Sequence, residues 1–123
     1  MKLQITNGRL IDPANHIDAI HDVFIVSGKV AAIGSAPVGF IADQTIDATG
    51  LIVAPGLVDL SVRLKEPGHE HEGMLDSELA AAVAGGVTSL VCPPDTDPVL
   101  DEPGLVEMLR FKAEKLNRSK VMP

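Results

Sequence analysis

Ala54-Pro55-Gly56-Leu57-Val58-Asp59-Leu60-Ser61-Val62-Arg63-Leu64-Lys65-Glu66-Pro67-Gly68 is where the grammar of the chain changes. Gly56 to Val62 reads as a mostly buried strand, because apolar residues run almost unbroken between turn residues. A helical segment follows at about Glu70 to Ala84, with Leu75, Leu79, Ala82 and Val83 at helical spacing. Acids crowd its first turns, where the helix dipole favours them, and Gly85-Gly86 permits a left-handed stop. Val87 to Cys92 is the next strand. A loop, Pro93 to Asp101, leads to a second helix capped by Asp101, with Leu105, Met108, Leu109, Lys112 and Leu116 on one side. Lys120-Val121-Met122 starts a third strand. Strand, helix, strand, helix, strand at this spacing predicts parallel pairing through crossovers, in an α/β barrel or an open doubly wound sheet. A barrel needs eight such units and roughly 200 residues or more, so the chain is expected to be a piece of a longer polypeptide.

Upstream, residues 1–53 show short alternating runs broken by turn residues, the pattern of small antiparallel strands. Leu3 and Ile5 share one face of a first strand, Asn7-Gly8 reads as a hairpin turn, and Ser27-Gly28 separates Asp22–Val26 from Lys29–Ile33. Gln44 to Ala48 forms another strand before the apolar run Leu51 to Ala54. The expected division is a β unit over 1–53 and the first βαβαβ units over 54–123.

The composition excludes several classes of function. The 123 residues are 46% apolar, ordinary for a packed domain. A net charge of −7 with no basic run argues against a nucleic-acid binder, which needs clustered cations to replace counterions around phosphate. Three Phe and no Tyr or Trp leave few stacking platforms. Cys92 is the only cysteine, so an internal disulfide is impossible and a reducing compartment, by default the cytoplasm, is expected. The first residues are too polar for a signal sequence, and no run approaches the ~20 apolar residues of a membrane span; the expectation is a soluble protein.

The stretch from Ala54 to Gly68 resembles the opening barrel strand of the amidohydrolase superfamily, specifically of dihydroorotase. Gly85-Gly86-Val87-Thr88-Ser89-Leu90-Val91-Cys92-Pro93-Pro94-Asp95-Thr96-Asp97-Pro98-Val99 looks like the second strand and substrate loop of the same family. Asn7 to Pro13 and Ile46 to Gly50 are similar to the β-sandwich that precedes the barrel. The resemblance implies an α/β fold: the amino-terminal part of a metal-dependent-hydrolase-type (β/α)8 barrel after a small β-sandwich segment. The Glu-Pro-Gly and Cys-Pro-Pro-Asp-Thr-Asp-Pro segments look nearer to dihydroorotase than to dihydropyrimidinase or allantoinase.

In active relatives, the resemblance implies, the positions of Ser61 and Arg63 are both histidine and bind zinc. Residues two apart on a strand point the same way, so two imidazoles at its carboxyl end face one metal. The position of Lys65 is usually arginine and that of Asp95 asparagine, and together they hold the substrate carboxylate. Here Ser61 lacks imidazole, Arg63 brings permanent positive charge where a cation belongs, Lys65 loses the planar fork, and Asp95 adds like-charge repulsion. The expectation is no zinc, no cofactor and no catalysis, with Lys65 and Asp95 as degenerate substrate positions and Arg63 neutralising barrel carboxylates. Inactive bacterial dihydroorotase-like chains of this kind associate with the catalytic chains of aspartate carbamoyltransferase in pyrimidine biosynthesis. The resemblance therefore implies a structural partner in an oligomer. The rival is an active zinc-dependent cyclic amidohydrolase with a non-standard metal site.

Other candidates have plainer readings. His69 and His71, two apart, do not share a helix face and read as solvated or as a supporting shell, while His16 and His21 read as surface residues. Cys92 ends an apolar strand and reads as a buried small side chain. Gly85-Gly86 lacks the Lys-Ser/Thr of a phosphate loop. Glu66, Glu70, Glu72, Asp76 and Glu78 read as a solvated helix start, with a calcium site the lesser alternative.

Overall fold

A computed structural model describes all residues, Met1–Pro123, and they form two compact units, Met1–Pro55 and Gly56–Pro123. In the first unit, β1 (Lys2–Thr6), β4 (Val23–Val26), β5 (Lys29–Ile33) and β6 (Gln44–Asp47) make a sheet in the order β5-β4-β1-β6. β2 (Arg9–Asp12), β3 (Ile17–Ile20) and β7 (Ile52–Val53) make a second, ordered β3-β2-β7. Ser27 and Gly28 have φ of 50° and 77°, the left-handed pair that a tight turn between antiparallel β4 and β5 requires.

Asn7-Gly8 is not the hairpin expected. Both edges of β1 are occupied, by antiparallel β4 and parallel β6, so β2 cannot pair with it and the chain passes into the other sheet. Asn7 takes φ of 62°, its N–H donates to Asp22 and its amide to Asp47. A Cβ on Gly8 would stand 2.5 Å from Val53 Cγ2, so glycine is required by close approach. The core here is small: Leu10, Val23, Phe24 and Ala48 are buried, and Phe24 meets Phe40 edge-on at 5.2 Å.

The second unit runs β8 (Leu57–Asp59), α1 (Leu75–Ala84), β9 (Val87–Val91), α2 (Pro103–Leu116), β10 (Lys120–Met122). Its three strands are parallel in the order β10-β9-β8, each joined to the next through a helix. Leu64, Leu79, Leu90 and Leu109 are fully buried at its centre, surrounded by Leu75, Cys92, Leu100, Ala113 and Val121. No helix is long and apolar enough to cross a membrane.

Three expectations need correction. The first strand, β8, expected to be mostly buried, lies within these 123 residues at the sheet edge with one neighbour, and Leu57, Val58 and Leu60 are 60%, 59% and 73% exposed; only a closed barrel would supply the second neighbour. α1 starts at Leu75 rather than near Glu70, because residues 65–73 close turns instead: the His69 N–H donates to the Lys65 carbonyl and the Glu72 N–H to that of His69. Asp101 does not cap α2. Glu102 holds that position without a side-chain bond, and Pro103, which needs no N–H partner, opens the helix.

Glu66 is the other departure, since it is buried rather than solvated. One carboxylate oxygen accepts the Leu75 N–H at the start of α1, and the other pairs with the Lys112 ammonium on α2. A single carboxylate thus ties the loop after β8 to both helices, and the positive end of α1 helps to offset its charge.

Candidate functional site

The carboxyl ends of β8 and β9 carry the residues singled out from the sequence. Regular pairing of β8 ends at Asp59, yet the Val62 N–H still donates to the Val91 carbonyl, which holds the chain beside the end of β9. Alternation survives: Leu64 is buried and Val62 partly so against the core, while Ser61 and Arg63 are exposed. The two family ligand positions therefore share a side. Ser61 donates its N–H to Asp59 at 3.0 Å.

Arg63 and Asp95, 32 positions apart, meet here. Nε and Nη2 of the guanidinium lie 2.7 and 2.6 Å from the same oxygen, Asp95 Oδ2. Lys65 Nζ lies 2.6 Å from Glu72 Oε2, and this hydrogen bond, more than the charge itself, holds the Glu72 carboxyl below its ordinary range. Arg63, Lys65, His69, Glu72, Cys92 and Asp95 line a cavity of about 170 Å³. Lys65 sits at φ of 65°, a left-handed conformation that re-aims the chain into the Glu-Pro-Gly turn.

Across the cavity mouth two loops interlock. Asp97 N–H donates to the Pro67 carbonyl, and Gly68, at φ of 103°, is so close that a Cβ would fall 2.1 Å from the Asp97 carbonyl oxygen. Glu66-Pro67 and Asp97-Pro98 are both cis. This contact positions Asp95 opposite Arg63.

The donor set does not fit the zinc ion of active relatives. A hydroxyl is a poor ligand at neutral pH, and the guanidinium is a permanent cation already engaged by Asp95. Nor do the charges favour an incoming carboxylate: each cation in the cavity has a carboxylate of the chain on it, which a ligand would have to displace. Cys92 is buried, and burial pushes its thiol up, away from the reactive thiolate.

The structure brings Arg63, Lys65 and Asp95 together and leaves Ser61 outside the cavity lining. Sequence reasoning missed Glu72 as the partner of Lys65, whereas His69, read as solvated or as a supporting shell, lies in the cavity lining. The only hint was a lone lysine in a short loop crowded with acids. His69 and His71 are also not separate: with Glu72 they hold one ligating atom each within 4.8 Å of the others, because the turn brings them to one side. His16 is exposed and His21 half-buried. The acids do not form one cage. Glu66 goes to Lys112, Glu70 to the Gly68 N–H, Glu72 to Lys65, and Asp76 to Arg118.

The family model described as Dihydro-orotase-like matches residues 50–123. A dihydroorotase-like protein of Pseudomonas aeruginosa is 50% identical over 123 residues, covering all of this chain and 29% of that protein; the Pseudomonas putida counterpart gives the same values. A dihydroorotase of Solibacter usitatus is 46% identical over 120 residues, covering 92% of the chain and 27% of that protein. Among solved structures, the L-hydantoinase (dihydropyrimidinase) of Arthrobacter aurescens superposes with a TM-score of 0.71 at 31% identity, covering 90% of this chain and 24% of that one. A D-hydantoinase gives 0.68 at 26% identity over 98% and 25%. The chain thus spans about 29% of the length of the curated relatives it matches. Its architecture is the amino-terminal part of an amidohydrolase (β/α)8 barrel, preceded by a small β segment. With its parallel βαβαβ units, its Glu-Pro-Gly turn and the match over residues 50–123, the chain belongs to the dihydroorotase-like family of the amidohydrolase superfamily.

Proposed function

We propose that this chain opens a non-catalytic dihydroorotase-like protein of pyrimidine biosynthesis, retained in the cytoplasm as a structural partner of the catalytic chains of aspartate carbamoyltransferase. The observation that carries the loss of catalysis is the Arg63–Asp95 pair. A side chain at a family metal position binds one at a family substrate position, so the protein's own charges occupy the functions of zinc and of substrate carboxylate. Glu72 on Lys65 supports the same reading at the remaining anion-binding position. The oligomeric role comes from the inactive dihydroorotase-like chains that the sequence resembles.

A second reading, an active zinc-dependent cyclic amidohydrolase with a non-standard metal site, is favoured by one fact: relatives named dihydroorotase reach 46% identity. Turnover separates the two. Purified full-length protein assayed with dihydroorotate, with and without added zinc, is expected to form no N-carbamoyl-L-aspartate. Turnover that zinc supports and a chelator abolishes would establish the second reading. Co-purification from cells is expected to bring down aspartate carbamoyltransferase catalytic chains, and their absence would remove the proposed role.

A further inference from the structure

The turn between Lys65 and Leu75 gathers ligating groups beside the altered family positions, on the rim of the same cavity. His69, His71 and Glu72 keep their ligating atoms within 4.8 Å of one another, and the imidazole centroids are 6.1 Å apart. An ion bound at about 2.0–2.2 Å by nitrogen and oxygen sets neighbouring tetrahedral ligands roughly 3.5 Å apart. Closing that gap asks for side-chain rotations of about an ångström, and His71 and Glu72 are exposed enough to make them. The backbone beneath is already set: the Glu72 and Gly73 N–H groups both donate to the His69 carbonyl. Lys65 occupies Glu72 Oε2, while Oε1 lies 3.8 Å from His71 Nε2 and remains available.

We infer that His69, His71 and Glu72 form a site for a zinc-class divalent cation, with a fourth position open to water. Two imidazoles and one carboxylate match the ligand preference of zinc and its neighbours, whereas calcium and magnesium take shells of oxygen. Lys65 opposes the ion and limits its affinity. Its ligands differ from the strand positions, Ser61 and Arg63, at which the family resemblance places zinc, and it requires no catalysis.

Titration of the full-length protein with zinc chloride by calorimetry, with melting curves on the same samples, tests it. The expected result is one ion per chain with a dissociation constant of roughly 10 µM, and a melting temperature that rises with zinc. His69→Ala and His71→Ala should each weaken binding at least about tenfold, since each removes one of three ligands, while metal-free melting stays at the parent value. Isotherms of both variants that superpose on the parent would place the ion elsewhere and overturn the inference. So would the absence of binding up to millimolar zinc.

Discussion

Arg63 and Glu66 sit three residues apart and both form ion pairs, yet exposure makes their energetics differ. The Arg63 and Asp95 side chains are 62% and 44% exposed, so water screens their attraction and the pair contributes little to stability. Arg63→Ala in the 123-residue chain is expected to change unfolding free energy by less than about 1 kcal/mol by denaturant titration. A larger loss in the full-length protein would mean that Arg63 also holds carboxylates from later in the barrel. Glu66 is buried while its partner Lys112 is about half exposed. Lys112→Met strands a buried carboxylate with only the Leu75 N–H and should cost about 3 kcal/mol; Glu66→Gln removes the buried charge and leaves Lys112 free to reach water, so about 1.5 kcal/mol is expected. That order, with the more exposed partner the costlier to remove, is the test. Asp47 offers a pH readout. Its carboxylate accepts from the Thr49 hydroxyl at 2.6 Å, from Asn7 and from the Thr49 N–H, which hold its pKa below the ordinary range. Unfolding returns it to about 3.9, so its stabilisation is complete above that value and fades as pH falls through the depressed one. Thr49→Val should raise the Asp47 pKa in an NMR titration; an unmoved value would exclude the hydroxyl as the cause.

At the scale of elements, glycines separate strain from collision. Gly86, at φ of 83°, ends α1 with nothing nearer a notional Cβ than Leu57 Cδ1 at 3.9 Å, so Gly86→Ala should cost only the left-handed penalty of about 1 kcal/mol. Gly68 adds to its φ of 103° a backbone oxygen 2.1 Å away, which no side-chain rotation relieves. Gly68→Ala should therefore cost at least about 3 kcal/mol, and chemical shifts around residues 94–98 should move as that loop is displaced; equal costs at the two glycines would refute the interlock. Local signals explain what could be read beforehand. The turn at Ser27-Gly28, the stop at Gly85-Gly86, the strand at Val87 and the third strand at Lys120 depend on neighbours in sequence. The fate of Asn7-Gly8 depends on β4 and β6 claiming β1 first, and the burial of Glu66 depends on Lys112, 46 positions away. Of the site, the positions of Ser61, Arg63, Lys65 and Asp95 were legible from family likeness, but that Arg63 would take Asp95 and Lys65 take Glu72 required the folded loops.

At the scale of the whole molecule, the parallel sheet has an open edge along β8. A complete eight-stranded barrel has no edges, because its first strand pairs with its last, whereas here β8 has β9 on one side only and leaves Leu57, Val58 and Leu60 largely exposed. An apolar edge strand with unpaired backbone groups is a template for pairing with another chain. Residues 1–123 prepared alone should bind a hydrophobic dye and self-associate with rising concentration in light scattering, and full-length protein should do neither to the same degree. Leu57→Lys and Leu60→Lys together put charge along the open edge of β8, and in the 123-residue chain they should shift the association to higher concentration. Within a closed barrel the same double change would bring two ammonium groups into the strand's surroundings and should lower full-length stability. Association of the 123-residue chain that ignores these substitutions would assign it to another surface, such as the apolar groove of about 390 Å³ lined by Ile5, Val23, Ile25, Val30 and Val53 in the first unit. Opposite effects in the short and long chains would show that one strand edge, sticky when open and structural when paired, governs how this part of the fold behaves.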